Sequence, residues 1–366
     1  MSTLPTPSTF PLDAWYAAGW DVDIGRTLLP RTVCGQPMVF YRRFDRVAVA
    51  LEDACWHRLM PLSKGQLQGD QVVCAYHGLS FDAAGRCTHV PGQDKPPTRA
   101  AVRAYPVIEK HRMVWVWPGD PSLADPALVP DLHWADDPEW ASEGAHFEMA
   151  CDYRLVLDNL MDLTHETFVH KSSIGHDAVA NTPLKVSHEG RRVRVERWMH
   201  DVDAPPFLDM QLRMARGFEK SPNVDRWQII HFEAPNTIVI DVGVAPTGTG
   251  APQGDRSAGI SGRVMNTVTP KGDGSCYYFF AYGRCFALDN RNLTADIRAA
   301  NIRIFTEDNV VLEEQQRMMD QLPGRKLVDL GIDAGSLWSR RAIAAMIEEE
   351  RTRAEARRDE ATGVAA

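Results

Sequence analysis

The chain has 366 residues, 44% hydrophobic and 24% charged, with a formal net charge of −9 at pH 7, a length for two ordinary domains and the composition of a soluble globular protein. The acidic balance excludes nucleic acid as the main partner, because phosphate binding needs a basic surface. No apolar run approaches the roughly 20 residues of a membrane helix, and the start MSTLPTPSTFPLDAW lacks the basic and apolar regions of a signal peptide, so a cytoplasmic location is expected.

Residues 13–118 read as short strands cut by turns. TVCGQPMVFY, VAVALED and RMVWVWPG carry the β-branched and aromatic enrichment of strands. The stretch 119–145, with GDP, ADP, VPD and DDP, reads as an irregular connector. A helix is expected over 152–165, then strands over 192–199, 227–233, 236–244, 260–269 and 276–284. A long helix is expected over 293–321, where Ile297, Ile304, Val311 and Leu312 form an apolar stripe. A last helix, about 338–357, is rich in Glu and Arg and frays into the tail. The pattern predicts an α+β protein: a small all-β module over 1–120, a connector over 121–145 and a second domain over 146–366.

Seven Cys, at 34, 55, 74, 87, 151, 276 and 285, make an odd number, which argues against a disulfide framework. Cys55-Trp-His57 and Cys74-Ala-Tyr-His77 stand out, because each pair mixes one thiolate with one imidazole. Zinc sites usually group Cys with Cys and His with His. A Rieske [2Fe-2S] cluster needs two Cys on one iron and two His on the other. Two loops, each giving one of each, meet that need. Val90-Pro91-Gly92 offers a third loop to shield such a cluster. A structural zinc site and unrelated residues are the competing readings.

The second constellation lies in DNLMDLTHETFVH. His165 and His170 would point about 140° apart on one helix, so the helix must end or bend between them to bring both to one metal. Asp162, three residues before His165, shares its face and is expected to hold its ring by a hydrogen bond. Two His and one carboxylate form the ligand set of non-haem Fe(II) that activates O2. Asp308 is the expected third ligand, with Glu307 a competing neighbour about 100° away on the helix. Taken alone, such a His pair is more often an ordinary pair of surface or core residues.

With both motifs in one chain, the sequence resembles the Rieske non-haem iron aromatic oxygenases. Within them it is similar to the branch of vanillate- and dicamba-type O-demethylases and toluenesulfonate methyl-monooxygenases. DAWYAAGW, PLSKG, YHGL, VWVWPGDPSLADP, CDYRLVLDNLMDLTHETFVHKSSIG, VDRWQI and IDAGSLWSRRAI carry the resemblance across nearly the whole chain. It implies a Rieske domain followed by a helix-grip-like catalytic domain of antiparallel sheet and helices. It implies a terminal oxygenase that demethylates a methoxylated aromatic acid such as vanillate, using O2 and using NAD(P)H only through a separate flavin or ferredoxin-type reductase. It further implies a head-to-tail homotrimer in which Asp162 bridges His77 of a neighbouring copy to His165, and an Asn near the iron at Asn159. Trp56 departs from the Pro that the family often has between the first Cys and His.

The chain has no GxGxxG opening a helix and no flavin fingerprint, which also points to a separate electron donor. An aromatic acid needs a cationic or amide anchor. Arg213, Arg216 and Arg226 are the candidates, each of which also reads as an ordinary surface Arg. Trp227, Phe232 and Tyr277 to Phe280 are expected either to wall the pocket or to fill the sheet core. Methyl hydroxylation of a toluenesulfonate-like aromatic, ring dioxygenation, and a Rieske electron carrier without catalysis are the alternative functions.

Overall fold

A computed structural model describes residues 9–362, with side chains to 359. Residues 1–8, which hold most of the stretch read for a leader, and the tail beyond 362 lie outside the described residues. The chain divides into two compact units. The first comprises residues up to Val129 with Thr269–Asp273 and the chain from Met346; the second comprises Pro130–Val268 and Gly274–Ala345.

The first unit is built from short strands: β1 (Tyr16–Trp20), β2 (Leu29–Val33), β3 (Gln36–Arg42), β4 (Ala48–Glu52), β5 (Gln66–Gln68), β6 (Gln71–Val73), β7 (Ser80–Phe81), β8 (Cys87–His89), β9 (Ala104–Tyr105), β10 (Val107–Lys110) and β11 (Met113–Val116). They form antiparallel sheets in the orders β1-β11-β10, β2-β3-β4-β9 and β5-β6-β7-β8. Val39, Tyr41, Leu51, Leu62, Val72 and Phe81 pack into one core that also contains Cys55 and Cys74. The thiols therefore stand on a rigid floor while the loops beyond them reach solvent.

The second unit holds one seven-stranded sheet, made of β12 (Ala141–Met149), β13 (Lys185–Glu189), β14 (Arg192–Val202), β15 (Val224–Glu233), β16 (Thr237–Pro246), β17 (Ile260–Gly272) and β18 (Ser275–Arg284), in the order β12-β18-β17-β16-β15-β14-β13. Its helices are α1 (Tyr153–Met161), α2 (Glu166–Val169), α3 (Asp177–Asn181), α4 (Pro206–Arg216) and α5 (Arg291–Gln321); α6 runs from Ala334 to Thr362. The predicted stripe of α5 is buried at Ile297, Ile304 and Leu312, whereas Val311 is 43% exposed. Caps set the helix ends. Asp152 accepts the Arg154 N–H at the start of α1, and α4 opens on Pro206 and closes at Gly217, whose φ of 75° is left-handed.

The five predicted strands of this unit are present as β14 to β18. Helix α1 ends at Met161, short of the expected 165, and α6 starts before 338 and continues past 357. The connector region ends in strand, because 141–145 already belong to β12. All seven Cys are free.

Candidate metal centres

The two Cys-His loops share one backbone device. The Cys55 N–H donates to the Met60 carbonyl (2.8 Å) and the Cys55 carbonyl accepts from the Leu59 N–H (2.9 Å). The Cys74 N–H donates to the Leu79 carbonyl (2.8 Å) and the Cys74 carbonyl accepts from the Gly78 N–H (3.1 Å). The fourth residue after each Cys is left-handed, with φ 56° at Leu59 and 72° at Gly78. Glycine adopts that region freely, whereas Leu59 is held there against its Cβ. Pro91 of the third loop packs over Gly78, where an added Cβ would meet Pro91 Cγ at 3.1 Å.

The two thiols are buried, and burial with Cys74 alongside pushes the Cys55 thiol up, although the His57 backbone N–H pulls it down. The His57 and His77 rings are exposed and lie side by side, with centroids 4.6 Å apart. Among the described residues, the donor atoms that converge within 4.8 Å are those of another site, so these four do not close on a single ion. A sulfur end below and a nitrogen end above fit a two-iron cage and not a tetrahedral zinc.

That other site is His165, His170 and Asp308. Helix α1 stops because Asp162 turns extended (φ −128°, ψ 105°) and its carboxylate accepts the Thr164 N–H at 2.9 Å. A 3-10 turn, Leu163–His165, follows; α2 comes next, and His170 sits at its C-cap. The predicted break is real, but it falls before His165 as well as at His170. Asp308 Oδ1 lies 3.4 Å from His165 Nε2 and 3.1 Å from His170 Nε2. Adjacent ligands on a metal with bonds of about 2.1 Å stand about 3 Å apart, so the three atoms fit three neighbouring corners of one coordination sphere.

The outer ring nitrogens are held as well. His165 Nδ1 lies 2.7 Å from the backbone carbonyl of Asp162, which corrects the expectation that the Asp162 side chain holds this ring. The Asp162 carboxylate serves the Thr164 cap and lies 3.8 Å from Arg197. Glu307 is 2.6 Å from His170 Nδ1 and so partners the ring that Asp308 meets from the other nitrogen. Asn159 donates Nδ2 to Asp308 Oδ1 at 3.3 Å.

Electrostatics match a cation site. Burial pulls both imidazoles down, but Asp308 outweighs it: His165 is raised, and His170, with Glu307 added, is pushed up to about 9. Burial raises Asp308, yet the two imidazoles hold it at about 2. The cluster is thus built around positive charge, which a divalent metal supplies in place of protons.

A cavity with an empty volume of about 640 Å³, part of it open to solvent, lies against these three side chains. Leu160, Phe207, Ile240, Val264, Ile304 and Phe305 give it an apolar lining. Of the three candidate anchors, Arg226 lines it. Arg213 faces Asp209 and the Phe218 carbonyl, and Arg216 binds the Ser257 and Gly259 carbonyls. Trp227, Phe232 and Tyr277 to Phe280 are buried but not in its wall. Sequence reasoning missed Phe207, Phe305 and Tyr282, and it missed Glu166, which bonds Arg226 (2.8 Å) and Gln228 (2.8 and 2.9 Å). The one available signal was the alternation that puts Arg226 and Gln228 on one face of a strand.

The Rieske [2Fe-2S] domain family matches residues 14–106, and the vanillate O-demethylase oxygenase C-terminal domain family matches residues 149–349. Over 319 residues, 87% of this chain and 96% of the relative, the sequence is 44% identical to the vanillate O-demethylase oxygenase subunit of Pseudomonas sp. (strain ATCC 19151). It is 35% identical over 329 residues, 88% of this chain and 93% of the relative, to a toluene-4-sulfonate monooxygenase iron-sulfur subunit of Comamonas testosteroni. The crystal structure of dicamba monooxygenase bound to 3,6-dichlorosalicylic acid superposes with a TM-score of 0.87 at 31% identity, covering 94% of this chain and 99% of that one. The match over 149–349 leaves no room for the reading as an electron carrier alone.

Proposed function

The chain belongs to the Rieske non-haem iron oxygenases, in the vanillate O-demethylase family, and on that premise we propose that it oxidatively demethylates a methoxylated aromatic acid such as vanillate. The observation that carries the reading is an apolar cavity set against His165, His170 and Asp308 in a chain that also has a Rieske domain. The cluster ligands are Cys55, His57, Cys74 and His77, within a module of residues 1–120. A connector, 121–145, leads to the catalytic domain, 146–366. His165, His170 and Asp308 hold the mononuclear iron.

When bound, the iron supplies O2 activation and oxidation of the methyl C–H bond, with electrons from NAD(P)H arriving through a separate flavin or ferredoxin-type reductase and the cluster. The chain's own residues do the positioning. Glu307 and the Asp162 carbonyl accept hydrogen bonds from Nδ1–H of His170 and His165, which leaves each Nε2 lone pair for the metal. Asn159 steadies the Asp308 carboxylate. The apolar lining excludes water and presents the methoxy carbon. Replacing one C–H by C–OH makes a hemiacetal, which falls apart to a phenol and formaldehyde.

Asp162 carries the electron path between His77 of a neighbouring copy and His165, within a homotrimer working in the cytoplasm; this part rests on the family's architecture. Methyl hydroxylation of an arenesulfonate is the second reading, favoured by the 35% identity to the Comamonas testosteroni relative. A formaldehyde-release screen of methoxybenzoates beside methyl-arenesulfonates, with a generic reductase, separates the two. Formaldehyde from a methoxybenzoate supports demethylation, and a benzyl alcohol from a methyl-arenesulfonate supports the second reading.

A further inference from the structure

Strand β14 turns Val193, Val195, Arg197 and Met199 to one face, and all four are buried. Arg197 is the one charged side chain in that row. On β15 the matching buried row holds Arg226, Gln228, Ile230 and Phe232, with Gln228 directly opposite Arg197 and Arg226 opposite Met199. The sheet thus sets three neighbouring polar side chains against the turn Asp162–Glu166, which carries the iron ligand His165.

These contacts bracket His165. Arg226 Nη2 and Gln228 Nε2 donate to the carboxylate of Glu166, the residue after it. Arg197 Nη2 donates to Thr164 Oγ1, the residue before it, at 3.0 Å. A buried cation is costly unless charge opposes it, and here two cations face two acids. Arg226 meets Glu166 at 2.8 Å, and Arg197 stands 3.8 Å from Asp162. Burial pulls the Arg197 guanidinium below its ordinary value; Asp162 and Glu166 pull it back up, against Arg226. Leu184, Val195 and Ile230 line the space beside Asp162 and Arg197, so water screens that attraction little.

Asp162 is held by one oxygen only. The Thr164 N–H donates to Oδ1 at 2.9 Å, and Arg197 faces the same Oδ1. Oδ2 has no hydrogen-bond partner among the described residues, and the side chain is 15% exposed. One carboxylate oxygen is therefore fixed from inside, and the other is offered outward as an acceptor.

Resting on the reading that Asp162 links His77 of a neighbouring copy to His165, we propose that Arg197 is a positioning residue for electron transfer. Through Thr164 Oγ1 and Asp162 Oδ1 it ties the turn to the sheet, so that Oδ2 meets the imidazole N–H of the incoming histidine. One electron passes from the reduced cluster to the iron; Arg197 itself exchanges neither electron nor proton.

The test uses the full enzyme with both iron centres. The cluster is reduced, the reductant removed, and the enzyme mixed with O2 and either 4-hydroxy-3-methoxybenzoate or 4-methylbenzenesulfonate. Return of the oxidised cluster's absorption reads electron transfer; iron content and probe binding constants are read beside it. Arg197→Gln should slow cluster reoxidation about 10- to 100-fold, the usual effect of removing a partner behind a metal ligand, while iron content and probe affinity stay within about threefold. Arg197→Lys, which keeps the charge and loses the fork, should fall between the two. A purely structural role would instead lower iron content or probe affinity together with the rate. If Arg197→Gln does not fold, Thr164→Val carries the test, since it removes the hydroxyl that Arg197 grips and should slow the same step with the iron kept.

Asp162→Asn is the control. Its amide oxygen can take the place of Oδ1, but its NH2 then points outward and cannot accept an N–H. Parental reoxidation in Arg197→Gln, or a slowing matched by iron loss, overturns the proposal when Asp162→Asn is slow. Parental reoxidation in Asp162→Asn defeats the bridge on which it rests. The demethylase reading is judged separately, by whether the parent enzyme releases formaldehyde from the methoxybenzoate.

Discussion

Acidification should strip the mononuclear iron well before it harms the fold, and the structure sets the size of the effect. Before iron binds, His170 carries a proton that Asp308 and Glu307 hold up to a pKa of about 9. Iron needs the neutral ring, so at pH 7 binding must expel that proton. Each pH unit below about 9 then costs about 1.4 kcal/mol, a factor of about ten in affinity. Between pH 8 and pH 6 the apparent Fe(II) dissociation constant should rise about a hundredfold, and more where His165, also raised, adds a second proton.

The His170 contribution to the stability of the iron-free protein runs the other way with pH. His170, raised, contributes stability that is complete below its ordinary value of 6.5 and is lost as pH climbs through 9. Asp308, depressed, contributes above its ordinary value of 3.8 and loses this as pH falls through 2. The assay is calorimetric titration of Fe(II) into enzyme with an intact cluster, in buffers of different ionisation enthalpy, to count protons released. A flat affinity from pH 6 to 8 with no proton release would refute the placement of Asp308 and Glu307 on opposite nitrogens of one ring.

Asp308→Ala should remove the mononuclear iron and abolish turnover while the cluster's visible absorption stays; Cys55→Ala should bleach the cluster, keep the mononuclear iron and also abolish turnover. Asp162→Asn should leave thermal stability nearly unchanged, because Asn caps Thr164 as well as Asp does. It should slow electron delivery, so single-turnover rates equal to the parent enzyme would defeat the bridging role. Gly175→Ala should cost the iron site with the cluster intact. Its Cβ would stand 2.4 Å from the Glu166 carbonyl and 2.8 Å from that of His170, both backbone atoms that cannot step aside. An unchanged iron content in that variant would contradict the tight turn after His170.

What could be read from the residues was what lies close in sequence. Cys55, His57, Cys74 and His77 sit in two loops of a few residues each, so their spacing already implies two matching grips. Asp308 was legible because α5 is long and its buried face has a clear period. The inner geometry was not. Asp162 holds His165 with its carbonyl, which depends on the backbone turning extended at that residue. Glu307 seemed to point away, but the two nitrogens of one imidazole lie on opposite sides of the ring, so neighbouring carboxylates on a helix can reach both. The cavity wall draws on helices α1, α2, α4 and α5 and on strands β15, β16, β17 and β18. No local pattern announces that Phe207, Val264 and Phe305 meet. In the first unit β3, β4 and β11 were legible in TVCGQPMVFY, VAVALED and RMVWVWPG, whereas β5 to β9 escaped for a related reason: two or three residues carry too little alternation to be read.

The two-centre account is tested most directly by metal and sulfide analysis of purified enzyme together with electron paramagnetic resonance of the reduced sample. It predicts about three irons and about two acid-labile sulfides per chain, with a Rieske signal from the reduced cluster. Zinc in place of iron, or iron that stops at about two per chain after Fe(II) loading, would contradict it.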